Sequence, residues 1–313
     1  MIDQEKFNGL VQLFETARDE QGHPLNMHYL LVRQGEAEFL HRFGGRSEPS
    51  DIRSLSKTVM ALLTGIVAAT HEDFDDEMPV WPILERVGSL TNRANLDRLK
   101  QVKVKHLLNH TIGFDQLLLM RDDIVGVDPF TYVDHVINAP IVHEPGQHYL
   151  YSNAGYYLLA VVLQEFLAED LHDYADRVLF SPVGIEKPRW ERYGNYVAGA
   201  TRLWMHPQDL GKLGRLFLDD GAGIVPPEWL ERLRRPTVLT PGVDTPTNPY
   251  FRRHAYANGL WLGARDGIYF GHGTDGQTLA MVPAQEAVVV TTAHQVDVTR
   301  LEEIVDQVIL ELH

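Results

Sequence analysis

The sequence predicts an α/β (α+β) fold, in which an antiparallel sheet is flanked by N- and C-terminal helices and a mainly helical domain is inserted into the chain. Three observations predict it. Apolar residues recur at helical spacing near both chain ends, strand-like runs occur only early and late, and the text from about 72 to 200 reads as helix and loop without alternation. Phe7, Leu10, Val11, Phe14 and Ala17 share one helical face, so residues 4–19 should form an amphipathic helix. Residues 28–33 and 37–43 read as a hairpin around Gln34-Gly35-Glu36, where the glycine supplies a positive φ. After a turn-rich stretch at 44–51, a strong helix is expected from about 54 to 70. Helical text continues at 107–108, 130–137, 154–167 and 171–179. Strands return at 256–262, 267–270, 277–282 and 287–292, with Pro283-Ala284-Gln285 as a turn, and the last helix sets Val298, Leu301, Val305, Val308 and Leu312 on one face. If the sheet is completed from both chain ends, residues 1–58 and 200–313 form the α/β domain and 59–199 the helical one, with the active site in the cleft between them.

The 313 residues include no cysteine, 43 acidic and 28 basic side chains, 44% hydrophobic and 23% charged residues, and a formal charge of −15. Such proportions exclude disorder and a disulfide scaffold and suffice for one large or two smaller cores. Without cysteine there is no thiolate nucleophile, no CxxC redox pair and no sulfur-based zinc site. A serine, carboxylate or histidine must carry any chemistry. The negative charge repels phosphate backbones and anionic head groups, so neither nucleic acid nor membrane is expected as a partner. Asp3, Gln4 and Glu5 are unlike a secretory start, and the longest apolar stretch, 59–69, is too short to span a bilayer, so a cytoplasmic protein is expected.

Three motifs carry chemistry. Ser54-Leu55-Ser56-Lys57 opens a helix, and a lysine three positions after a serine shares its face. The free N–H groups there favour an oxyanion, and the apolar helix behind can desolvate Lys57 and lower its pKa toward that of a usable base. The second motif is Tyr-x-Asn, which occurs as Tyr151-Ser152-Asn153, Tyr193-Gly194-Asn195 and Tyr256-Ala257-Asn258. Context favours Tyr151, which follows a Glu144-Pro145-Gly146 turn and precedes a helix, whereas Tyr193 and Tyr256 read as structural. The third, Gly271-His272-Gly273-Thr274-Asp275-Gly276, spells a dinucleotide fingerprint but is followed by two strands and no helix, which rules that reading out. Its glycines mark a strand whose backbone approaches something closely. His106 and His110 have i, i+4 spacing without a third ligand, so no metal is expected.

In order and spacing these motifs resemble the penicillin-recognising serine hydrolases: class C β-lactamases, D-alanyl-D-alanine carboxypeptidases, lactamase-like esterases and 6-aminohexanoate-oligomer hydrolases. Leu107-Leu108-Asn109-His110-Thr111-Ile112-Gly113-Phe114 resembles the family's leucine-leucine helix ending in a Thr-Ser-Gly turn. Glu144-Pro145-Gly146 and Met205-His206-Pro207-Gln208-Asp209-Leu210 resemble two further segments, so the likeness spans about 28–295. The resemblance implies a β-lactamase/transpeptidase-like fold, with Ser54 as acylated nucleophile, Lys57 as its base and Tyr151 as proton shuttle to the leaving group. It further implies Asn153 as orienter of Lys57 and substrate, an oxyanion hole from the N–H groups of Ser54 and Thr274, and substrate contacts from His272 and Gly273. Two departures stand out. Aligned on Gly273, the motif has Gly271 where the family's lysine binds a substrate carboxylate, with His272 as a partial substitute, and Ile112 replaces a serine.

The expected activity is therefore acyl-enzyme hydrolysis of an ester or small amide, without cofactor, by a chain that can self-associate. The alternatives are a β-lactamase or D-alanyl-D-alanine carboxypeptidase, should Arg252 or Arg253 reach the cleft, and a non-catalytic ligand-binding module that retains the pocket.

Overall fold

The computed structural model describes residues 1–240, 255–263 and 267–312. Its strands are β1 (Met27–Gln34), β2 (Ala37–Arg42), β3 (Ser50–Asp51), β4 (Arg192–Tyr193), β5 (Tyr196–Val197), β6 (Trp204–Met205), β7 (Val238–Leu239), β8 (Ala255–Ala257), β9 (Leu260–Leu262), β10 (Tyr269–Gly273), β11 (Gln277–Val282) and β12 (Ala287–Ala293). Its α-helices are α1 (Gln4–Thr16), α2 (Ser56–Thr70), α3 (Trp81–Val87), α4 (Leu96–Leu99), α5 (Val104–Leu108), α6 (Tyr132–Asn138), α7 (Ala154–Leu167), α8 (Leu171–Ala175), α9 (Pro207–Leu218), α10 (Pro227–Leu233) and α11 (Thr299–Glu311). They form two compact units, Met1–Leu55 with Trp204–His313, and Ser56–Leu203. Arg252 and Arg253 lie outside the described residues.

In the first unit an antiparallel sheet runs in the order β2-β1-β12-β11-β10-β9-β8-β7. The early hairpin pairs with the last strand, as the sequence predicts. Strands β11 and β12 are buried at every position, because helices cover both faces of the sheet centre. On one face lies α9, so close that a Cβ at Gly214 would stand 2.6 Å from Val288 and 3.0 Å from Leu279. On the other lie α1, whose Phe7 ring stacks 5.4 Å from that of Phe39, and α11, whose Leu301 packs on Gly276.

Three expectations need correction. The strand expected at 267–270 is β10, which starts at Tyr269 and runs on to Gly273, into the third motif. Helix α1 starts where the Asp3 carboxylate accepts the Lys6 N–H, but it ends at Thr16 rather than 19. There the Arg18 guanidinium takes the carbonyls of Glu15, Thr16 and Ala17, which satisfies the helix end. Residues 256–262 are not one strand but two, β8 and β9, joined by Asn258 and Gly259 with φ of +49° and +106°. Asn-Gly with both φ positive suits the mirror-image hairpin turn, a signal hidden by the apolar run around it.

The second unit is helical apart from the β4–β5 hairpin around Gly194 and Asn195. Helix α2 is buried continuously over Ser56–Val67 and α7 over Ala154–Leu163, the pattern of helices enclosed on all sides. A Cβ at Gly155 would lie 2.7 Å from the Leu107 carbonyl, so only glycine lets α7 rest directly on α5. Among the described residues no helix is long and apolar enough to cross a membrane.

Candidate active site

The residues singled out by the sequence fall in two groups, one in each unit. In the second unit, Lys57 is on the first turn of α2 and only 1% exposed. Its Nζ donates to Asn153 Oδ1 at 2.9 Å and to the Ala200 carbonyl at 3.2 Å, and lies 4.8 Å from the ring centroid of Tyr151 and 5.9 Å from that of Tyr156. Carbonyls and aromatic faces favour the ammonium form, yet removal from water outweighs them and pushes the amine from 10.5 down to about 7. A neutral amine has two hydrogens to donate and one lone pair to accept a proton.

The segment bearing Tyr151 is held from three directions. Ser152 Oγ donates to the Leu118 carbonyl at 2.9 Å and accepts the Leu118 N–H at 3.1 Å, and Asn153 Nδ2 donates to the Leu119 carbonyl at 2.9 Å. Both ends of the Asn153 amide are thus assigned, with its oxygen toward the amine. The third hold, missed in the sequence, is His110. Its carbonyl accepts the Leu150 N–H at 3.0 Å, its Nδ1 accepts the Ser152 N–H at 3.4 Å, and its ring lies 4.5 Å from that of Tyr151. Burial, with the nearby Lys57 charge second, holds this imidazole well below its usual 6.5, so it is neutral. Its φ of +60° places it in a conformation that normally calls for glycine or asparagine just past a helix end, and a histidine in that position gave no warning. His106 is occupied separately, accepting the Lys103 N–H at 3.1 Å across the first turn of α5. Among the described residues no group of three His, Cys, Asp or Glu side chains could hold a metal ion. Tyr193 and Tyr256 are both buried, and each stands at a hairpin: one in β4 beside Gly194, the other in β8 beside Asn258.

In the first unit, Ser54 is half-buried in a 3₁₀ turn, Arg53–Leu55, which runs into α2 at Ser56. Gly273 ends β10 directly against this turn: a Cβ there would stand 2.7 Å from the Ile52 carbonyl and 2.9 Å from Arg53 Cβ. The close approach that the glycines led us to expect is therefore to the chain just before Ser54. Thr274 follows, exposed, as the first residue of the β10–β11 turn. Strand alternation sends His272 to the opposite face, where its Nε2 lies 2.8 Å from Glu302 Oε1 on α11. The backbone of Gly273, rather than the His272 ring, is what lies beside the Ser54 turn.

The sequence model of the family described as Beta-lactamase matches residues 14–313. Penicillin-binding protein 4* of Bacillus subtilis (strain 168) is 26% identical over an alignment of 218 residues that covers 60% of this chain and 42% of that longer protein, less than half its length. Among solved structures, the octameric penicillin-binding protein homologue from Pyrococcus abyssi superposes with a TM-score of 0.76 at 16% identity, covering 99% of this chain and 78% of that one. Unliganded simvastatin synthase from Aspergillus terreus gives 0.75 at 14% identity, covering 98% of each chain. At such identities the likeness is one of fold.

Proposed function

The chain belongs to the beta-lactamase family, and from that premise we propose that it is a serine hydrolase that cleaves an ester or small amide through an acyl-enzyme on Ser54. One observation carries the reading: three residues after Ser54 stands a fully buried lysine whose amine, at about 7, is deprotonated in a large fraction of molecules at neutral pH. Ser54 Oγ attacks the substrate carbonyl as its proton passes to the lone pair of Lys57. The resulting oxyanion takes hydrogen bonds from the N–H groups of Ser54 and Thr274. Collapse of the tetrahedral adduct breaks the bond to the leaving alcohol or amine, which receives a proton from the Tyr151 phenol, and Lys57 returns its proton to that oxygen. Water then attacks the acyl carbonyl, giving up a proton along the same route, and frees the acid and Ser54. Asn153 orients Lys57 and, by likeness to the family, contacts the substrate.

Ester or small-amide substrates are favoured because Gly271 stands where the family's carboxylate-binding lysine is expected and Glu302 engages His272. The penicillin-binding relative supports a second reading as a β-lactamase or peptidase. A panel of p-nitrophenyl esters, anilides and a chromogenic cephalosporin, with Ser54→Ala as control, separates them. Fastest turnover of simple esters supports the proposal, and fastest turnover of the cephalosporin transfers the assignment to the second reading.

A further inference from the structure

Two charged residues flank the proposed oxyanion donors. Arg53 precedes Ser54, Asp275 follows Thr274, and both have left-handed backbones, with φ of +53° and +70°. Neither is glycine, and arginine especially avoids this region, so surrounding contacts must hold it there. The contacts are at hand. Arg53 Nε donates to Asp275 Oδ2 at 3.0 Å, and Nη2 lies 3.0 Å from the same oxygen. Nη1 donates to Asp51 Oδ2 at 2.8 Å, while Asp51 Oδ1 accepts the Arg53 backbone N–H at 2.9 Å. Asp51 therefore grips both ends of Arg53, and Arg53 grips the β10–β11 turn. The Arg53 side chain is 16% exposed, Asp51 6% and Asp275 13%, so the three charges lie largely out of water, where charge-assisted hydrogen bonds fix geometry best. The turn is pinned from its far side as well, since the Asp275 carbonyl accepts the Gln295 N–H at 3.0 Å.

We infer that Arg53 and Asp275 are positioning residues that set the spacing between the N–H groups of Ser54 and Thr274. The inference rests on the oxyanion hole of the proposed function and extends it to what holds that hole in shape. Each partner is one residue from a donor, so a shift of either turn moves a donor directly. Gly273 in contact with the Ile52 carbonyl fixes how closely the turns approach, and the guanidinium fixes their register. The arginine's charge lies between the two carboxylates, and the proposed role of both side chains is to hold the turns.

The test uses the full-length protein with Asp275→Asn, which tolerates the left-handed backbone and keeps the shape, with Arg53→Met, and with the double variant. Each is assayed on a p-nitrophenyl ester and with phenylboronic acid, whose tetrahedral adduct on serine places an oxygen where the oxyanion forms. Asp275→Asn should lower kcat about tenfold to a hundredfold, with KM within about threefold, and should weaken boronate inhibition by a similar factor. The double variant should be no worse than the weaker single, because the pair acts as a unit. Wild-type kcat in folded Asp275→Asn overturns the inference even if Arg53→Met does not fold. A loss confined to KM, or additive losses in the double variant, also overturns it. Activity that survives Ser54→Ala overturns the parent reading instead.

Discussion

Asn153 Oδ1 accepts a 2.9 Å hydrogen bond from Lys57 Nζ while Nδ2 of the same amide donates to the Leu119 carbonyl at 2.9 Å, so the asparagine cannot turn over without losing both. It therefore presents to the amine an oxygen that is polar but uncharged. An anion in its place would favour the ammonium and undo the effect of burial.

Asn153→Asp tests this relationship. A carboxylate at 2.9 Å stabilises the charged lysine, raises its pKa above about 7 and reduces the neutral fraction at neutral pH. The midpoint of the pH–rate profile for ester hydrolysis should move up by about one pH unit or more. Activity should fall about tenfold near pH 7 and recover partly at alkaline pH. An unmoved midpoint contradicts this account of Lys57.

Burying Lys57 also affects stability. An unfolded chain binds its proton up to 10.5 and the folded chain only to about 7, so between these values the unfolded state holds more protons and stability rises with pH. Below about 7 the penalty is fully present, and above 10.5 it vanishes. Lys57→Met should remove it, stabilising the protein by a few kcal/mol (~2–4) near pH 6 while abolishing turnover. Chemical denaturation across that pH range checks it, and a less stable methionine variant is the contrary result.

The sheet and the motifs were legible because their signals are local. β11 and β12 carry the apolar runs 279–282 and 287–290, and Ser54 and Lys57 are three positions apart. What stayed hidden depends on tertiary contact. The end of α1 is set by the reach of Arg18, Asn258-Gly259 was submerged in apolar neighbours, and Arg53 adopts a left-handed backbone that its residue type does not announce. The direction of His272 needed the register of β10 and the position of Glu302, which no spacing in the sequence reveals.

Gly273→Val should be among the most damaging single changes near the site. Its Cβ would stand 2.7 Å from the Ile52 carbonyl, a backbone atom that cannot rotate away, so the strand or the Ser54 turn must shift. Turnover should fall at least about a hundredfold, with a stability loss of about 1–3 kcal/mol. A variant with near wild-type kcat contradicts the placement of Gly273.

Gly259→Ala separates fold from function. With φ of +106° between β8 and β9, alanine is strained there, and a destabilisation of about 1 kcal/mol or more is expected by thermal unfolding. Specific activity at low temperature should stay within about twofold, because this turn carries no proposed catalytic group. A loss in kcat without a loss in Tm is the contrary result.

The most direct measurement is the rate at which a fluorophosphonate phosphonylates the protein, with loss of fluoride, as a function of pH, read by intact mass beside Ser54→Ala. The account predicts a single adduct, absent from the variant, forming with a rate that climbs about tenfold per pH unit below about 7 and levels above it. An adduct that persists without Ser54, or a rate that stays flat through neutral pH, contradicts it.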